Sequence, residues 1–89
     1  MPPLTGDVTT GGQPELTCPK GVFQGYNVSL TRPGQARKLI GFSSSRHFLV
    51  TEPLPAAGMA EGWTFDVQYR YQNQPFGLIS QPISLTVRG

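Results

Sequence analysis

The longest regular feature of the chain is an alternation of apolar and polar residues in its second half. The apolar positions of this stretch are Trp63, Phe65, Val67, Tyr69 and Tyr71, with polar residues between them. Because successive side chains of an extended strand point to opposite faces, the pattern predicts a strand with one buried face. Trp63 begins the apolar face, so we expect it to be a core residue.

Shorter stretches of the same kind occur along the rest of the chain, separated by turns that contain Gly or Pro. The predicted strands cover residues 4–8, 15–18, 23–31, 37–42, 46–51, 63–72 and 82–88. A tight turn is predicted at Arg32-Pro33-Gly34-Gln35, since Pro fixes φ and Gly permits a positive φ. Residues 56–61 are a candidate for one helical turn.

Seven short strands with turns between them predict an all-β fold, a seven-stranded antiparallel β-sandwich of the fibronectin type III or immunoglobulin-like kind. A single open sheet would leave apolar side chains without an opposing layer, namely those of Phe48, Trp63, Phe65, Tyr69 and Leu85. The length of 89 residues suits one domain with one core. We therefore interpret residues 1–89 as a single domain excised from a larger protein.

Four pieces of the chain resemble a fibronectin type III module from about residue 14 to the end. In order they are Phe23-Gln-Gly-Tyr26-Asn-Val28, Leu54-Pro55, Trp63-x-Phe65-x-Val67, and Ser80-Gln-Pro82 followed by the last strand. Cys18 lies nearest the position where this family usually has a core Trp. The resemblance implies a role in binding, spacing or adhesion, and it implies no chemistry.

The residue types needed for catalysis or metal binding are scarce. One Cys and one His exclude an internal disulfide and a Cys-rich zinc site. His47, the serines at 43–45 and Asp66 are the residue types of a serine triad, but no Gly-x-Ser-x-Gly elbow accompanies them. We expect no enzyme activity, no cofactor and no metal. For Cys18, a buried thiol is favoured over a reactive one.

Charge and hydropathy exclude two further classes of partner. The formal net charge is +2 and the basic residues are scattered, so no nucleic-acid surface is expected. No stretch is long and apolar enough for direct membrane insertion. The compartment stays unassigned, with an extracellular or cell-surface location favoured over a cytoplasmic one.

The loop that contains Phe76 is the first candidate for a partner-binding site. An aromatic ring between Pro75 and Gly77 suits a binding anchor on a rigid loop, with Gln74 and Leu78 beside it. The alternative is that Phe76 folds back and caps the core. The sequence alone leaves both open.

Two further candidates carry weaker signals. Arg32 and Arg37 flank the Pro-Gly turn and would favour an acidic partner, although a solvated hairpin tip explains them as well. Asn27-Val28-Ser29 is a glycosylation sequon, and alternation puts Asn27 on an outward face. It is a candidate glycosylation site in a secreted protein.

These observations favour a non-catalytic module for protein–protein interaction or domain spacing within a larger multidomain protein. Its partner would be another protein or the neighbouring domains of the same chain, and the isolated domain would be monomeric. The alternative is an accessory or carbohydrate-associated module of a secreted polysaccharide-active enzyme, with aromatic rings lying flat on an exposed sheet face. The expected inward position of Trp63, Tyr69 and Tyr71 argues against that alternative.

Overall fold

A computed structural model describes residues 3–19, 23–72 and 74–89. Within these ranges every regular element is a strand and no helix occurs, which confirms the all-β prediction. The strands are β1 (Thr5–Val8), β2 (Pro14–Thr17), β3 (Gly25–Thr31), β4 (Lys38–Ser43), β5 (His47–Leu49), β6 (Ala60–Tyr71), β7 (Gln74–Pro75) and β8 (Ile83–Arg88). The described residues thus form eight strands where the sequence predicts seven. The additional strand is β7, which the sequence pattern assigns to a loop.

The strands form two antiparallel sheets. One sheet has three strands in the order β1-β2-β5, and the other has five. In the larger sheet β3 lies between β4 and β6, and both β7 and β8 pair with the remaining edge of β6. β8 pairs with the first half of β6, up to Phe65, whereas β7 pairs with its last two residues, Arg70 and Tyr71.

The core lies between the two sheets, as in a β-sandwich. The larger sheet contributes Trp63, Phe65 and Val67 from β6, all with no exposed surface, as the alternation predicted. Leu16 of β2 and Val50 just after β5 pack against them from the other side. Each of these large buried side chains contributes about 1.5–3 kcal/mol by leaving water.

Trp63 is buried with its only polar atom satisfied. The indole Nε1 donates a hydrogen bond to Glu61 Oε1 at 2.9 Å. The Arg32 guanidinium lies 4.5 Å from the centre of the indole ring and forms a 3.0 Å salt bridge with the same carboxylate. Arg32 directly follows β3, whereas Glu61 and Trp63 are near the start of β6. The cation–π contact and the shared carboxylate therefore connect the end of β3 to the start of β6.

The predicted turn after β3 is confirmed. The amide of Gln35 donates to the Arg32 carbonyl at 3.0 Å, and Gly34 has φ 72°.

The predicted helical turn at 56–61 is wrong. The Met59 amide donates to the Ala56 carbonyl at 2.9 Å in a tight turn with Gly58 at φ 80°, which is not helical, and β6 begins at Ala60, which pairs with Arg88. A left-handed glycine and a long-range strand partner therefore decide the conformation of this segment.

Candidate binding surface

The last residues of β6 extend beyond the part of the sandwich where the two sheets cover each other. Tyr69 and Tyr71 lie on the same face as Trp63, but Tyr69 is only half-buried and Tyr71 is 46% exposed. The Tyr69 hydroxyl donates to the Pro19 carbonyl, just past the end of β2, at 2.5 Å. Tyr69 thus marks the limit of the core, and beyond it the described residues form no second sheet over the inner face of the β6–β7 hairpin.

Three aromatic rings meet on this uncovered face, and we call Phe23, Tyr71 and Phe76 the aromatic patch. The Phe76 ring centre is 5.6 Å from that of Phe23 and 5.6 Å from that of Tyr71. Phe23 in turn stacks on Tyr69 at 4.3 Å with an interplanar angle of 15°. The patch is therefore connected to the core through Tyr69, while Phe76 itself stays 51% exposed.

The segment that carries Phe76 is fixed to the edge of β6 by backbone hydrogen bonds. The Phe76 amide donates to the Tyr69 carbonyl at 2.8 Å, which continues the β7 pairing. Further along, the Ser80 amide donates to the Val67 carbonyl at 2.8 Å, and the Val67 amide donates to Ser80 Oγ at 2.9 Å. Residues 76–80 thus lie beside the part of β6 that β8 does not reach. These hydrogen bonds order the segment in the absence of a partner.

The same segment exposes further apolar surface. Leu78 is 68% exposed and Ile79 is 44% exposed. Gly77 has φ 80°, and its carbonyl accepts a hydrogen bond from Gln68 Nε2 at 2.8 Å. A side chain with Cβ rarely adopts that φ, so glycine suits this bend.

The predicted binding residues of this loop are all exposed. Gln74 and Pro75 constitute β7, both are exposed, and Phe76 and Leu78 follow them directly. The hairpin turn that precedes β7 includes Gln72 with φ 51°, a left-handed conformation that is strained for a residue with a Cβ.

Neither Arg32 nor Arg37 lies on this surface, since Arg37 bonds to Asp66 on the outer face of β6. Arg32 bonds to Glu61 near the start of β6, whereas Phe76 bonds to Tyr69 near its end. The distance between residues 61 and 69 along a strand is about 26 Å at roughly 3.3 Å per residue. The two groups of predicted binding residues are therefore not brought together.

The cations of the β3–β4 hairpin each face a carboxylate of this chain. Two guanidinium nitrogens of Arg37 donate hydrogen bonds to the Asp66 carboxylate at 2.6–3.2 Å. These hydrogen bonds raise the pKa of Arg37. Lys38 Nζ lies 2.6 Å from Glu52 Oε1. With Arg32 already bonded to Glu61, an acidic partner would have to displace carboxylates that are in place.

Asn27 lies on the outer face of β3, as alternation predicted. It is half-buried between its cross-strand neighbours Phe42 and Gln68. Ser29 of the same sequon is buried, with 3% of its surface exposed. Glycosylation of Asn27 stays a prediction.

The residues considered for catalysis do not converge. His47 Nδ1 lies 3.2 Å from Thr17 Oγ1, and the Ser43 hydroxyl lies within hydrogen-bonding distance of two backbone carbonyls, those of Ser45 at 3.0 Å and His47 at 3.2 Å. Asp66 lies on the outer face of the five-stranded sheet, where it forms a salt bridge with Arg37. The described residues form no ligand-sized pocket and no group of three or more metal-ligating side chains. Nor do they include a helix of the length and hydropathy that crossing a membrane requires.

Cys18 is buried, as expected. It has no exposed surface, and burial raises the pKa of its thiol, with a smaller lowering effect from the Tyr69 hydroxyl. A protonated, enclosed thiol is a poor nucleophile.

Sequence reasoning missed Phe23 and Tyr71 as surface residues. Alternation placed Tyr71 on the inner face, which is correct, but the side of a sheet does not tell whether another layer covers it. One signal was present: the predicted strand at 63–72 is much longer than the predicted strand at 15–18. This difference in length indicates that the end of the longer strand extends beyond the opposing sheet.

No family model, curated protein or solved structure matches this chain.

Proposed function

We propose that this domain is a non-catalytic β-sandwich module that binds a protein partner through the aromatic patch and the adjoining residues 74–79. The observation that carries the proposal is the state of Phe76. It contacts two other rings, its backbone is hydrogen-bonded to β6, and yet it is 51% exposed. A rigid, half-exposed aromatic cluster is typical of binding hot spots.

The kinship with fibronectin type III modules is part of this proposal. It is supported by two facing antiparallel sheets and by the burial of Tyr26 and Val28, which carry the motif on β3. Leu54 packs against the core and Pro55 is buried, in agreement with a structural role for that dipeptide. Such modules serve binding and spacing, so the partner is another protein or a neighbouring domain of the same chain.

The energetics of the patch are sufficient for recognition. An aromatic side chain buries about 150–250 Å² in full, so covering the exposed half of Phe76 removes roughly 100 Å² from water. At about 25 cal/mol per Å² this yields about 2–3 kcal/mol, and Tyr71 offers a similar amount. Because the hydrogen bonds at Ser80 and Phe76 already order the segment, little conformational entropy is lost on docking.

The geometry of the rings favours a protein over a carbohydrate partner. A sugar stacks on aromatic faces that lie flat in one plane, but the Phe23 and Tyr71 rings are inclined at 86°. Phe76 is inclined at 37° to Phe23 and at 56° to Tyr71. Trp63, the largest ring, is in the core and offers nothing to a sugar.

Selection of peptides from a displayed random library tests the proposal and requires no assumption about the sequence of the partner. The domain is immobilised, enriched peptides are synthesised, and their affinities are measured for the wild type and for Phe76→Ser. We expect the substitution to weaken binding by about 1–3 kcal/mol, or roughly 5- to 150-fold. The matched control is Leu39→Ser, which removes a side chain that is 63% exposed on the outer face of β4.

Two results would overturn the proposal. One is that no peptide is enriched over a surface without the domain. The other is that enriched peptides bind Phe76→Ser as well as the wild type but lose affinity for Leu39→Ser, which would place recognition on the outer face of the larger sheet. Circular dichroism of both variants shows whether each remains folded.

A further inference from the structure

Tyr69 contacts three separate segments of the chain at the base of the aromatic patch. Its ring stacks on that of Phe23, with 4.3 Å between ring centres and an interplanar angle of 15°. Its hydroxyl donates a hydrogen bond to the Pro19 carbonyl at 2.5 Å, and its backbone carbonyl accepts one from the Phe76 amide at 2.8 Å. One residue of β6 therefore connects the chain that follows β2, the Phe23 ring and the segment that carries Phe76.

The position of the Phe23 ring depends on this stacking. Phe23 lies two residues before β3 and outside any strand. Its ring also contacts those of Phe76 at 5.6 Å and Tyr71 at 6.4 Å, but both of these rings are themselves about half exposed. Tyr69, in contrast, packs against the core, and its ring is nearly parallel to that of Phe23. The contact with Tyr69 therefore links the Phe23 ring to the rigid part of the fold.

Tyr69 is itself less accessible to a partner than the rings of the patch. It is half-buried, it packs against the core, and Phe23 covers a face of its ring. Phe76 and Tyr71, by comparison, are 51% and 46% exposed. An effect of Tyr69 on recognition would therefore act through the ring that it supports.

We propose that Tyr69 is the positioning residue of the aromatic patch: its ring holds Phe23 against Phe76 in the arrangement that a partner meets. The inference rests on the proposed function and adds a residue that acts through Phe23. Without the Tyr69 ring, the Phe23 side chain would have to be ordered when the partner binds. Ordering a side chain at an interface lowers affinity, and a preformed patch avoids that loss.

Variants of Tyr69 test the inference with a peptide from the library selection, labelled for fluorescence anisotropy. Tyr69→Leu removes the ring, and we expect it to weaken binding about three- to tenfold. Tyr69→Phe keeps the ring and should bind close to the wild type. The control for lost stability is Val87→Ala, which truncates a buried side chain at the other end of β6, beside Glu61, and should leave affinity unchanged. If circular dichroism shows that Tyr69→Leu is unfolded, Tyr69→Met takes its place.

A double-mutant cycle distinguishes positioning from direct contact with the peptide. If Tyr69 acts through Phe23, Tyr69→Leu should change the affinity less than about twofold once Phe23→Ala is present. A direct contact would keep its full effect in both backgrounds. NMR spectra of the free domain give a second readout: Tyr69→Leu should remove part of the upfield ring-current shift of the Phe23 ring protons, and Tyr69→Phe should retain it.

Failure of the inference and failure of the proposed function give different results. If Phe76→Ser weakens binding but Tyr69→Leu does not, the inference is wrong and the proposed function stands. The inference alone is also overturned if the loss for Tyr69→Leu persists with Phe23→Ala, or if Tyr69→Phe or Val87→Ala loses as much affinity. If no peptide is enriched, or if binding is independent of Phe76, the proposed function and the inference both fall.

Discussion

Replacement of Trp63 by Ala is expected to remove a large part of the stability of this domain. The indole has no exposed surface, and its nearest aromatic neighbour, Phe65, lies 6.3 Å away between ring centres. The substitution leaves a cavity and also deprives Glu61 and Arg32 of the indole N–H and ring face that they contact. Both effects act at the same place in the fold.

The magnitude follows from the size of the cavity. Large aromatic-to-alanine substitutions in cores cost about 3–5 kcal/mol. A domain of 89 residues has a total stability of about 4–13 kcal/mol at roughly 0.05–0.15 kcal/mol per residue. Trp63→Ala therefore leaves the domain marginal. Trp63→Phe keeps an apolar ring but loses the hydrogen bond, and we expect it to cost about 1–2 kcal/mol.

Urea unfolding followed by far-UV circular dichroism is the appropriate assay. Tryptophan fluorescence is unsuitable because Trp63 is the only tryptophan and disappears with the substitution. Tyr71→Ala is the matched control, since it removes a ring from the same face of β6 at a position that is 46% exposed, and it should cost under about 1 kcal/mol. A loss below about 1 kcal/mol for Trp63→Ala would refute the assignment of this face to the core.

Three further predictions follow from local geometry. Cys18 should react slowly with a thiol reagent in the native state and rapidly in urea, because burial encloses the thiol and raises its pKa; fast native labelling would contradict this. Gln72→Gly should raise the free energy of unfolding by about 0.5–1 kcal/mol by relieving the positive φ, and a loss of stability in the same urea assay would refute it. Ser80→Ala should cost about 1–3 kcal/mol and speed hydrogen exchange of the Val67 amide, which loses its acceptor; unchanged exchange would show that another acceptor serves it.

Sequence periodicity predicted the core well because alternation depends on local geometry alone. Trp63, Phe65 and Val67 were assigned to the buried face from their spacing, and all three are buried. The same rule gave the correct side for Tyr69 and Tyr71. Their exposure depends on where the opposing sheet ends, which is a property of other strands.

The errors at the ends of β6 have the same origin. Residues 56–61 show a weak local preference for a helical turn, but Ala60 finds a strand partner in Arg88, far away in sequence. β7 was missed because Pro75 argues against a strand, although proline is tolerated on an edge. Pairing partners, which periodicity does not reveal, decided both cases.

The candidate site was predicted in part. The loop around Phe76 was selected from an apolar ring between Pro75 and Gly77, and its exposure agrees with that choice. The contribution of Phe23 depends on the stacking with Tyr69, across 46 residues of sequence (69 − 23), so no local pattern reports it. Whether these residues bind a partner stays a prediction.

Chemical-shift mapping of a bound peptide tests the central claim most directly. The ¹⁵N-labelled domain is titrated with a library-selected peptide, and amide shifts are followed in two-dimensional spectra. The account predicts that the largest shifts occur at Phe23, Tyr71, Gln74 and residues 76–79, with small shifts at Leu39 and Leu49, which are exposed elsewhere. Shifts concentrated at Leu39 or Leu49, with the aromatic patch unaffected, would contradict it.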